Sequence, residues 1–151
     1  MLIDTREQLE LLFQDEFITE CERVPLPVGD YSCEFKNGYQ CPVCFERKSL
    51  NDLFGTLSKG YDRFKREIER AKSLDIKLII VIEGTLTDVL WGIKHSERSG
   101  ISVLRQLFTL WIKHGVPFYC LKDRTEMSIF ITEYFKSIGR KALKDLKEGK
   151  K

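Results

Sequence analysis

Apolar residues recur along the chain with two different periods. The run Leu78-Ile79-Ile80-Val81-Ile82 is unbroken and rich in β-branched residues. Residues 77–83 therefore predict a strand covered on both faces. Leu2-Ile3-Asp4, residues 17–23 and residues 116–121 predict further short strands. Helical spacing governs the rest. Leu50, Leu53, Phe54 and Leu57 form one apolar stripe, and Phe64, Ile68 and Ala71 form another within residues 61–73. Residues 101–114 carry an apolar surface wider than one core face requires, from Val103 through Ile112. Met127, Phe130, Ile131, Tyr134 and Phe135 mark a last helix. Leu9, Leu12 and Phe13 predict a helix over residues 6–14, with Thr5 as its cap.

Turn chemistry divides these elements. Lys36-Asn37-Gly38 lies between the strand-like runs 31–35 and 39–48, and Asn-Gly in that setting predicts a hairpin. Pro25 and Pro27 mark a connection before it. Ser49, Thr85 and Asp123 each open a helical pattern as a capping residue. Residues 92–100 read as a loop, and Gly115 ends the helix that follows it. The element order predicts an α/β domain, a mixed central β-sheet flanked by α-helices.

With 151 residues, 42% of them hydrophobic, the chain suits one domain with a proper core. Its 25 basic and 23 acidic side chains leave a net charge of only +2. Any nucleic-acid binding must then come from local clustering. The longest uninterrupted apolar run is far too short to span a bilayer. Met1 leads directly into a strand pattern instead of a charged-then-apolar leader, and the expectation is a cytoplasmic protein with no membrane partner.

The hairpin is where the chemistry gathers. It brings Asp30, at the open end of one arm, beside Glu46 on the other. Glu46 and Lys48 are two apart, so a strand sends both to one face. Two carboxylates can hold a divalent cation, Mg²⁺ or Mn²⁺, that polarises a phosphodiester and activates water. A lysine beside them can orient that water or stabilise developing charge. Taken alone, acid-x-lysine is a common solvated face. Arg63, Arg66 and Arg70 line one side of the helix over 61–73 and offer a phosphate-contacting ridge. The plainer account is a solvated face with internal pairs such as Arg63 with Glu67.

Five cysteines, an odd number, do not suggest a disulfide framework. Cys33, Cys41 and Cys44 offer three thiolates to a structural Zn²⁺, with Cys21, Cys120, His95 or His114 as a fourth ligand. No second Cys-x-x-Cys exists, and a regular strand sends residues three apart to opposite faces. Cysteines packed near the sheet fit that spacing better.

Asp4-x-Arg6-Glu7, Gly29-Asp30-Tyr31 and Glu46-Arg47-Lys48-x-x-x-Asp52 occur in that order. Together they resemble the nuclease domain of the XPF-type structure-specific endonucleases, most of all its compact bacterial and phage members. The likeness continues through residues 61–67 to Glu83-Gly84 and spans nearly the whole chain. It implies a restriction-endonuclease-like fold over residues 1–139, with 140–151 as a basic tail. It also implies metal-dependent cleavage of branched or flap DNA in repair or recombination. By this resemblance Asp30 and Glu46 bind the metal, and Lys48 positions water or stabilises charge. Arg6 and Arg47 hold site acids or the scissile phosphate, and Glu7 and Asp52 complete the acidic shell. Family members pair through this domain, so a homodimer is expected. Many carry a helix-hairpin-helix module after it, for which residues 140–151 are too few. The alternative is a non-catalytic DNA-binding or partner subunit of the same fold, zinc-stabilised through its cysteines.

Overall fold

The computed structural model describes residues 1–149. Six strands form one mixed sheet: β1 (Leu2–Asp4), β2 (Glu22–Val24), β3 (Tyr31–Ser32), β4 (Val43–Ser49), β5 (Lys77–Glu83) and β6 (Phe118–Leu121). Their order in space is β2-β1-β3-β4-β5-β6. β3 runs antiparallel to both neighbours, and the pairs β1–β2, β4–β5 and β5–β6 are parallel. The helices are α1 (Leu50–Thr56), α2 (Tyr61–Ser73), α3 (Leu86–Trp91), α4 (Gly100–His114) and α5 (Arg124–Lys147).

Alternation along the central strands divides the core in two. Leu78, Ile80 and Ile82 pack with Leu53, Phe54, Phe64, Ile68, Val89, Val103 and Leu107 from the first four helices. Ile79 and Val81 pack with Met127, Ile131 and Phe135 of α5 and with Leu11. Phe45 lies in this second core, fully buried, with the rings of Phe130, Tyr134 and Phe135 edge-on at 6.3, 5.3 and 5.4 Å. The strand burial is thus two-sided, as its unbroken apolar run predicts.

The expected caps are in place. Ser49 accepts the Asp52 amide, Thr85 and Asp88 form a reciprocal capping box, and Asp123 accepts the Glu126 amide. The hairpin tip closes as expected too, with the Gly38 amide donating to Phe35 O and Gly38 at φ +85°. Its ladder is shorter than predicted. The Tyr31–Phe45 pairing and the Glu34–Gln40 bridge differ in register by two residues. The slack falls at Pro42, which has no amide to give a ladder, and Ser32 Oγ lies within hydrogen-bond distance of both Cys41 O and Val43 O there.

The helix expected over residues 6–14 does not form. Other elements satisfy its backbone instead. Arg23 donates to Thr5 O and Glu7 O, Arg124 donates to Leu9 O and Glu10 O, and the Tyr31 hydroxyl accepts the Leu11 amide. Leu9 and Leu12 are exposed, whereas Leu11 is buried. The strand expected over 17–23 is shorter and shifted, Glu22–Val24, where it pairs with the three residues of β1. At the other end α5 passes residue 140 without a break and reaches Lys147. Lys150 and Lys151 of the expected basic tail lie outside the described residues.

Candidate active site

Residue pairing builds the site directly. Tyr31 of β3 faces Phe45 of β4, so Asp30 comes opposite Glu46. The Asp30 amide donates to Phe45 O at 2.7 Å and its carbonyl accepts the Asp4 amide at 2.8 Å. The Arg47 amide donates to Asp30 Oδ2 at 2.7 Å. Gly29 precedes this corner at φ +74°, and a Cβ there would meet Cys44 Cβ at 2.9 Å. Only glycine fits such a backbone at that distance.

Glu46 and Lys48 leave β4 on the same side and form an ion pair at 2.9 Å. Burial pushes the Glu46 carboxyl well above the usual carboxylate range, and the nearby Asp30 charge adds to this. Burial likewise pushes Asp30 up to about 6, with Glu7 contributing. Lys48 is raised: burial would lower it, but the adjoining Glu46 and Asp30 charges outweigh that cost. The lysine is therefore an ammonium at neutral pH, a donor and not a base.

These three side chains open into a cleft of about 740 Å³. The start of α1 contributes Asn51 and Asp52, and α2 contributes Arg63, Arg66, Glu67 and Arg70. Arg6 also lines it, with its Nε bonded to Asp4 Oδ2 at 2.7 Å. Phe64 lies beneath Lys48, whose Nζ is 5.8 Å from the ring centre. Asp30, Glu46, Lys48, Arg6, Asp52 and the three arginines thus line one cleft.

Glu7 and Arg47 do not line this cleft. Arg47 belongs to the other face of β4, where its guanidinium meets Glu7 in two 2.9 Å hydrogen bonds. Both are largely buried, with side chains 12% and 6% exposed. The Arg47 backbone reaches the site through Asp30, but its side chain grips Glu7 instead. The pairing of Arg63 with Glu67 is absent as well. Glu67 Oε1 accepts the Gly29 amide at 3.0 Å. Sequence reasoning passes over Glu67 as a site residue, although it shares a helical stripe with Arg63 and Arg70.

Cys33 and Cys41 are neighbours, with the Cys41 amide donating to Cys33 O at 2.8 Å, but the three cysteines do not share one face. Cys33 and Cys41 lie in the α5-side core and Cys44 in the opposite one. Among the described residues no group of three or more His, Cys, Asp or Glu side chains is arranged to hold a metal. No helix among them is long and apolar enough to cross a membrane.

No curated protein sequence matches the chain. Solved structures share its fold, among them two of one archaeal protein. XPF from Aeropyrum pernix superposes with a TM-score of 0.64 at 19% identity, over 97% of this chain and 68% of that one. The same protein in complex with DNA gives 0.59 at 18%, over 95% and 64%. This chain thus spans about two thirds of their length. The profile of the ERCC4 domain matches residues 3–134, and the chain belongs to the ERCC4 domain family.

Proposed function

We propose that the protein is a divalent-metal-dependent endodeoxyribonuclease acting on branched or flap DNA. The convergence of Asp30, Glu46 and Lys48 in a cleft rimmed by Arg6, Arg63, Arg66 and Arg70 carries this reading. The donor set fits a hard cation. Two carboxylates with the remaining positions left to water are the sparing protein contribution that Mg²⁺ takes, and Mn²⁺ accepts the same oxygens. Burial, and then the neighbouring negative charges, raises both carboxyls, and a bound cation would offset both costs. Asp30 and Glu46 would hold the ion. When bound, it would polarise the scissile phosphate and acidify a coordinated water.

The chain's own groups supply the rest. Asp30 Oδ2 accepts the Arg47 amide, which helps orient the carboxylate that would hold the ion. Lys48, held as an ammonium, donates toward charge developing on the phosphate. The arginines of α2 and Arg6 receive the flanking phosphates. The DNA named for the Aeropyrum complex supports a nucleic-acid substrate. A homodimer is part of this proposal. Phe108, Trp111 and Ile112 of α4, Tyr119 of β6 and Ile129 of α5 leave large apolar groups exposed, which a second copy would cover.

The test is cleavage of labelled flap, fork, Holliday-junction and plain duplex DNA with Mg²⁺, Mn²⁺ or EDTA. Cutting of the branched substrates, dependent on metal and lost in Asp30→Ala, is the expected result. Equal cutting by Asp30→Ala would refute the assignment. A folded protein that binds branched DNA without cutting it would favour the non-catalytic subunit instead.

A further inference from the structure

Helix α2 grips the loop before Asp30 at two points. Arg70 Nη1 donates to Pro27 O at 3.4 Å, and Glu67 Oε1 accepts the Gly29 amide at 3.0 Å. The second contact matters more, because Gly29 is one residue from the acid that would hold the ion. Gly29 sits at φ +74°, a backbone that glycine enters and leaves easily. Its amide has no partner but Glu67 among the described residues. Beyond it the chain is fixed again, at the Asp30 amide and carbonyl. Glu67 therefore supplies the hydrogen bond at the glycine next to Asp30.

We propose that Glu67 is a positioning residue of the cleft, its carboxylate holding the Gly29 amide and through it the Asp30 side chain where the cation binds. This rests on the reading of Asp30 and Glu46 as the cation's ligands. A glutamine could accept the same hydrogen bond, whereas an aspartate keeps the charge but is one methylene too short. The two substitutions therefore separate reach from charge. Partners that orient a ligand without touching the metal commonly matter about 10–100-fold to metal affinity.

The experiment is calorimetric titration of Mn²⁺ into the wild type and into Glu67→Gln, Glu67→Asp and Glu67→Ala. Amide hydrogen exchange at Gly29 is measured alongside. Glu67→Ala and Glu67→Asp are expected to weaken Mn²⁺ binding about 10–100-fold and to speed exchange at Gly29, while Glu67→Gln loses less than either. Should the alanine variant fail to fold, the aspartate variant decides the same question. Equal losses in Glu67→Gln and Glu67→Ala would overturn the proposal and assign the effect to charge. Wild-type affinity in Glu67→Ala would overturn it too. A wild type that takes up no Mn²⁺ would instead sink the cation reading on which the proposal rests.

Discussion

The Glu7–Arg47 pair is a sharp test, because the family resemblance and the geometry assign it different work. In Arg47→Met the guanidinium is replaced by an apolar chain of similar length. Glu7, 6% exposed, then loses two 2.9 Å hydrogen bonds and its countercharge. Stranding one partner of a buried pair costs about 3–5 kcal/mol. At roughly 2–4 °C per kcal/mol for a domain of this size, the melting temperature falls by roughly 6–20 °C. Glu7→Gln combined with Arg47→Met removes the stranded charge and should recover much of that loss. The pH dependence follows the same logic. Burial alone would raise the Glu7 carboxyl, but the Arg47 hydrogen bonds and charge outweigh it and hold it below its ordinary 4.5. A depressed carboxylate stabilises the fold above its unfolded pKa and loses that contribution as pH falls through the folded one. The wild type should therefore lose stability progressively below about pH 4.5, and the double variant should lose less there. Thermal denaturation from pH 7 downward measures both effects. A single Arg47→Met variant that melts like the wild type yet cannot cut DNA would refute the structural role and place Arg47 in the chemistry.

Two further predictions concern the cleft. Gly29→Ala forces a side chain into a positive-φ backbone and against Cys44 Cβ, so it should cost about 1–3 kcal/mol in chemical denaturation and disturb Mn²⁺ uptake. Unchanged stability would mean that the corner is free to move. Arg66→Ala should weaken branched-DNA binding and lower the salt slope of log affinity by about 1, as for one lost phosphate contact. An unchanged slope would return Arg66 to the solvated face.

Local rules made much of the fold and site readable. The cap at Ser49, the box at Thr85–Asp88 and the turn at Asn37–Gly38 each depend on a few neighbouring residues, and each forms. The strand's two-residue period likewise sets Glu46 and Lys48 on one face and Arg47 on the other. What local rules missed depends on distant partners. Residues 6–14 have helical spacing, yet Arg23, Tyr31 and Arg124 occupy their backbone groups from other elements. Glu67 reads as half of an i,i+4 pair with Arg63, since nothing nearby in sequence announces an amide at Gly29 waiting for it.

The sequence by itself determined most of the elements around the cleft and that Asp30, Glu46 and Lys48 meet there. One hairpin and the strand pleat suffice to bring those three together. Only the tertiary structure decided the support around them. Docking α2 against the sheet brings Arg63, Arg66, Glu67 and Arg70 to the cleft. The irregular course of residues 5–20 delivers Glu7 to Arg47 on the far face. The reason is physical: hydrogen-bond and side-chain periods act over a few residues, whereas these contacts join groups 40 or 38 positions apart that meet only once the two cores have formed.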